Sequence, residues 1–112
     1  MRLWMIDPKL LCTQHLLGEH LEIHLHKHIF VKHYSIDGRI CPIVQIEPAS
    51  MESRHNELVI EMQRRGFKHN SPYVQPDISY LPIDQQNAKV DLKYNLKDLY
   101  NRCTECREIG IL

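Results

Sequence analysis

Leu92, Leu96, Leu99, Cys103 and Cys106 recur at alternating intervals of four and three residues. A helix turning about 100° per residue brings all five onto one side. The spacing therefore predicts a third helix from near Asp84 to about Ile109 with a buried stripe. Two earlier stretches carry helix boundaries. Asp7 can cap and Pro8 can fill the first helical position, opening a helix there or at Thr13 that continues to about residue 29. A second helix is expected from about Ser50 to Arg65. Ser50 serves as its cap, Glu52 lies near the positive end, Arg64 and Arg65 near the negative end, and Gly66 stops it. Asp37-Gly38, Cys41-Pro42 and Glu47-Pro48 make residues 30 to 48 irregular. Pro72, Pro76 and Pro82 mark a later extended connection. The fold class expected is all-α: a single domain, residues 1–112, of about three helices with long irregular connections.

A chain of 112 residues supports one modest core. With 43% hydrophobic and 25% charged residues, it has the composition of an ordinary soluble globular protein. No apolar run reaches the roughly 18 residues of a membrane span, and Met1 to Asp7 lacks a secretory apolar region. A cytoplasmic location and four reduced cysteines are expected. Net charge is zero, so the chain as a whole does not attract phosphate. Two local clusters do: Lys27, Lys32 and Arg39, opposed only by Asp37, and Arg64, Arg65 and Lys68. Each reads equally well as a DNA-backbone contact or as solvated surface charge.

Along the first helix, His15, Glu19, Glu22 and His26 fall on one polar stripe. Ahead of it stands an N-terminus with basic Arg2. A free α-amine titrates near pH 8, so it is partly neutral and nucleophilic at physiological pH. Beside a carboxylate it can attack a sugar carbon and form a Schiff base. A histidine and a glutamate on a helix face are by themselves usually surface; their spacing from the amine gives them a second meaning. Gly18, in mid-helix, costs about 1 kcal/mol relative to Ala and needs a reason, a helix crossing or a close approach to a ligand.

Gln14-His15-Leu16, Glu19, Glu22 and Glu57-Leu58-Val59 leading into Arg65-Gly66-Phe67 resemble the pyrimidine-dimer DNA glycosylases of the phage endonuclease V type. The similarity runs loosely over residues 1 to 80. The resemblance implies a DNA-repair glycosylase with AP lyase activity, acting on double-stranded DNA at pyrimidine dimers or abasic sites. Carried over by position, Met1 supplies the nucleophilic amine and Glu22 the catalytic carboxylate, while Arg2 and His15 hold phosphate and sugar. In the family the amine belongs to a small residue exposed by Met removal. Bulky Arg2 predicts that Met1 is retained here and that its own amine takes that place.

Leu21 and Leu25 stand where the family tends to place basic DNA-contacting residues. They either continue a core stripe from Leu17 or, with Ile60 on the second helix, form a partner surface, since Leu16 and Ile23 already define another apolar side. The alternative function is therefore a non-enzymatic, self-associating homo-oligomer, natural or engineered on this scaffold. No cofactor and no metal are expected. His20, His24 and His28, with His26 and His33 nearby, lack the glutamate placement of the helical metalloprotease motif and read as a solvated face. Cys103 and Cys106 have zinc-knuckle spacing, but zinc needs two more ligands, and Cys12 and Cys41 come from unpaired contexts. Core packing on the third helix is the reading preferred.

Overall fold

The computed structural model describes residues 2–69 and 71–111. Its elements are α1 (Thr13–Val31), α2 (Asp37–Ile40), α3 (Met51–Arg64), α4 (Ile83–Gln86), α5 (Leu92–Arg102) and α6 (Thr104–Ile111). No strand occurs among the described residues, so the fold is all-α. No helix of these is long and apolar enough to cross a membrane.

Helix α1 begins at the later of the two expected positions. Asp7 accepts a bond from Lys9 N at 3.0 Å, but the turn it caps is a single 3-10 turn, Pro8–Leu10. The buried side of α1 is Leu16, Glu19, Ile23, His26 and Phe30, spaced three and four apart. The polar stripe thus lies partly inside: Glu19 and His26 are buried, and Arg54 of α3 supplies the partner for the Glu19 charge. Leu21 and Leu25 stay outside, 56% and 47% exposed, so they do not continue the core. The helix ends with His33 in the left-handed region (φ 57°), while Tyr34 N bonds Ile29 O and His33 N bonds Phe30 O. That is the paired arrangement that satisfies orphan carbonyls at a helix C-terminus.

Helix α3 ends the same way at Gly66 (φ 93°), with Phe67 N on Met62 O and Gly66 N on Gln63 O. Its start differs from the expectation. Ser50 does not cap; its hydroxyl donates to Glu47 Oε1 at 2.9 Å. Gln75 does so instead, accepting from Glu52 N at 3.1 Å while its own N–H donates to Glu52 Oε1 at 3.0 Å. Buried Glu47 also accepts from Val90 N at 3.0 Å, which ties the approach to α5 onto the start of α3.

The expected third helix is three pieces. Asp91 caps α5 by accepting from Tyr94 N, which breaks the chain after α4. Extended backbone at Cys103 (φ −126°, ψ 107°) then separates α5 from α6. Of the predicted stripe, Leu99 and Cys106 are fully buried and Leu92 is 54% exposed. The packing centre is the α1–α3 contact, and α6 packs against α5 and the Pro8–Leu10 turn. Through the middle runs the N-terminal segment, with Leu3, Trp4 and Ile6 buried.

Candidate active site

Residues 2–4 are fixed by backbone bonds from both sides. Leu3 N donates to Gln45 O at 2.7 Å. Asn95, buried on α5, donates through Nδ2 to Leu3 O at 3.3 Å and Trp4 O at 3.1 Å. Sequence patterning could not single out this asparagine, since its role depends on an extended segment ninety residues away.

Beside this segment lies a polar cleft of about 510 Å3, lined by Arg2, Trp4, Gln14, His15, Gly18, Glu19, Glu22, Gln45 and Arg102. It falls within the range of roughly 300–1,000 Å3 typical of ligand pockets. Arg2, His15 and Glu22 therefore share one cavity, as their expected roles require. Met1 lies outside the described residues. The Oε2 atom of Glu22 is buried with no hydrogen-bond partner among the described residues. A buried carboxylate oxygen of this kind is an acceptor suited to a donor that comes with the substrate or the chain terminus. Gly18 opens onto the same space: a Cβ there would meet nothing within 4 Å. The glycine serves no helix crossing; it borders the cleft.

Arg2 is held rather than mobile. It pairs with Asp98 of α5 and lies 4.8 Å from the Trp4 ring centroid. Glu19, which the stripe placed on the surface, is 2% exposed and accepts two bonds from Arg54, itself 1% exposed. His26 is fully buried, with Nδ1–H donating to Glu22 O at 2.7 Å. The inward side of α1 around Glu22 thus holds buried polar groups as well as apolar ones.

The expected DNA-backbone cations fall differently. Lys27, Lys32 and Lys68 are exposed, and Lys27 Nζ lies 5.8 Å from the Tyr73 ring. Arg39 is half-buried. Arg64 is on the surface but bonded to Glu61 at 2.7 and 2.6 Å. Arg65 turns inward, donating to Glu61, Pro8 O and Leu11 O, and so joins α3 to the turn before α1. Ile60 is 69% exposed.

Two donor clusters involve α1, and the first shares His15 with the cleft. Cys12, His15, Cys103 and Cys106 offer ligand atoms that lie within 4.8 Å of one another. His20, His24, His55 and His69 do the same. The histidines of α1 and of the turn after it are therefore no uniformly solvated face: His20 and His24 turn toward α3, His28 packs edge-on to Tyr34, and His33, just beyond the helix, stacks on Tyr80 at 4.3 Å. Burial and then the His24, His55 and His69 charges push His20 down to about 4, leaving it neutral at physiological pH. The signal that could have found the first cluster is the repeated spacing Cys12-x2-His15 and Cys103-x2-Cys106. The second needed His55 and His69 weighed together with α1.

The structure describes an all-α protein whose polar cleft forms around its N-terminal segment and a helix-borne glutamate. Residues 1–75 match the sequence model of the pyrimidine dimer DNA glycosylase family. The chain belongs to that family, whose work is DNA repair. Neither a curated protein nor a solved structure matches the chain. The match contains Arg2, His15 and Glu22, whereas Asn95, Asp98, Cys103 and Cys106 lie beyond it.

Proposed function

We propose that the chain is a DNA glycosylase with AP lyase activity, using the Met1 α-amine as nucleophile and Glu22 as its carboxylate. One observation carries the reading: Arg2, next to that amine, shares a cleft with Glu22, whose Oε2 is buried and unpartnered among the described residues. Family membership supplies the DNA substrate. In the proposed reaction the neutral amine forms a bond to C1′ of the deoxyribose as the base departs with the bonding electrons and takes a proton. Ring opening gives an iminium. Loss of a C2′ proton then expels the 3′ phosphate by β-elimination. Glu22 stabilises the cationic sugar and relays protons. The damaged nucleotide has to leave the stack, which a distorted lesion makes easier.

Borohydride reduction on abasic duplex DNA tests the proposal. A covalent protein–DNA adduct is expected for the free N-terminus, and none after N-terminal extension or acetylation. Trapping that survives the blocked amine moves the nucleophile to a lysine and overturns the assignment.

The exposure of Leu21, Leu25 and Ile60 favours a second reading, in which these side chains meet another copy of the chain.

A further inference from the structure

We propose that Cys12, His15, Cys103 and Cys106 form a zinc site that fastens the C-terminal helices to the wall of the cleft. All four donor atoms lie within 4.8 Å of one another, and three of their separations suit a tetrahedral set. With Zn–S near 2.3 Å, neighbouring sulfurs sit about 3.8 Å apart and a sulfur and an imidazole nitrogen slightly closer. Cys12 Sγ is 3.8 Å from Cys103 Sγ, His15 Nδ1 is 3.2 Å from Cys12 Sγ, and Cys106 Sγ is 3.6 Å from His15 Nδ1. Backbone amides supply an outer shell: Cys12 N donates to Cys106 Sγ at 3.2 Å and Cys106 N to Cys103 Sγ at 3.4 Å. Such bonds stabilise thiolates, the form zinc requires, and binding displaces the thiol protons to solvent.

The two knuckles come from opposite ends of the chain. Cys12 precedes α1 and His15 lies in its first turn, while Cys103 is the break between α5 and α6. Four protein donors leave no open coordination position, so the role is structural. His15 lines the cleft and is a ligand at once, so its Nδ1 faces the metal and its ring orientation is set by it.

Zinc content and Co2+ substitution of the reduced full-length chain test this. Co2+ added to the metal-stripped protein should produce sulfur-to-cobalt charge-transfer absorption whose final intensity corresponds to one thiolate-bound Co2+ per chain, and which is lost on Zn2+ addition. Cys103→Ser, at a half-buried position, should weaken the charge-transfer band, and His69→Ala should leave it unchanged. A folded chain with no thiolate–cobalt band overturns the site, as does a band undiminished in Cys103→Ser. If that variant does not fold, the titration of the unsubstituted chain decides.

An independent observation carries a second site. Nε2 of His24 and Nε2 of His55 are buried without any hydrogen-bond partner among the described residues. They face His20 and His69, whose Nε2 atoms are 2.9 Å apart, and the four rings lie with centroids 4.7 to 6.5 Å from one another. His55 is 2% exposed and bonds Asn56 Oδ1 through Nδ1 at 3.0 Å, so its Nε2 carries the free lone pair. We infer a tetra-imidazole site for a first-row divalent cation such as Zn2+, joining α1 to α3 and the chain after it. The full chain should then hold two Zn2+, and His69→Ala should hold one with the cobalt–thiolate absorption intact. A parent chain holding a single thiolate-bound Zn2+, or a His69→Ala chain still holding two, overturns this second site.

Discussion

Arg54 and Glu19 meet at the α1–α3 contact, Nε to Oε2 at 2.6 Å and Nη2 to Oε1 at 3.0 Å, with side chains only 1% and 0% exposed. A parallel, two-pronged arginine–carboxylate contact combines charge with geometric fit. Glu19 also lines the cleft, three residues from Glu22 on the same helix.

Removing one partner strands a buried charge. Glu19→Leu is expected to destabilise the fold by about 3–5 kcal/mol, and Arg54→Met by a similar amount. The double substitution should recover most of the loss, since apolar side chains of similar volume leave no unpaired charge. Urea denaturation of the three variants measures this. Strictly additive losses would show that the two residues act separately.

Glu22→Gln keeps the side-chain shape and removes the charge. Turnover on abasic duplex should fall by about 10²–10³-fold, the usual scale for losing one group that stabilises transition-state charge. Duplex affinity should change little, because the interaction develops at the transition state. Single-turnover kinetics beside a binding titration separate the two. Normal turnover would remove Glu22 from the reaction.

Gly18→Ala should move stability and activity in opposite directions. The helix gains up to about 1 kcal/mol from the better helix former, and no neighbouring atom lies within 4 Å to oppose the new methyl group. That methyl group projects where the cleft wall is now backbone. A higher Tm with weaker substrate binding is the expected result, read by thermal melting and a binding isotherm on the same preparation.

Acid should loosen the junction of α3 with the turn before α1. Hydrogen bonds and charge from Arg64, with further bonds from Arg65, pull buried Glu61 down to about 2. A carboxylate depressed in the folded state contributes stability above its unfolded value near 4.5 and loses it as pH falls toward 2. Stability of the parent should therefore drop more steeply over that window than that of Glu61→Gln. The contribution at neutral pH is about 1–2 kcal/mol, since the exposed Arg64 is screened by solvent. Denaturation midpoints between pH 6 and acid conditions test it (no difference in slope would place the effect elsewhere).

Leu21→Lys with Leu25→Lys should strengthen duplex binding. The chain has no net charge, and each further phosphate that a lysine neutralises should steepen the dependence of log K on log salt by about 0.9. If the leucines also meet a second copy, light scattering should find a dimer or larger ring for the parent and 13.3 kDa for the double variant. Unchanged affinity with an unchanged salt slope would place these positions away from the DNA.

Several features were legible along the chain because their causes are local. Helix-compatible runs, Gly66 as a stop and the long proline-bearing connections follow from backbone preferences of a few adjacent residues. So does the placing of His15 and Glu22 in register, because seven residues make two turns of α1. Other features depend on neighbours that no short window contains. Whether Glu19 was surface or core turned on Arg54, thirty-five residues away. Whether Leu92 was buried turned on Asp91 restarting the helix and Cys103 ending it. The chain alone offered two apolar sides for α1, and only the seating of α3 decided that Leu16, Ile23 and Phe30 go inside while Leu21 and Leu25 stay out. The cysteines show the division most sharply: each two-residue spacing is written in the sequence, but a four-donor cluster exists only because α6 folds back onto the first turn of α1. Local propensity fixes which segments are helical, and long-range packing fixes which side chains meet, because burial free energy depends on surfaces from distant parts of the chain.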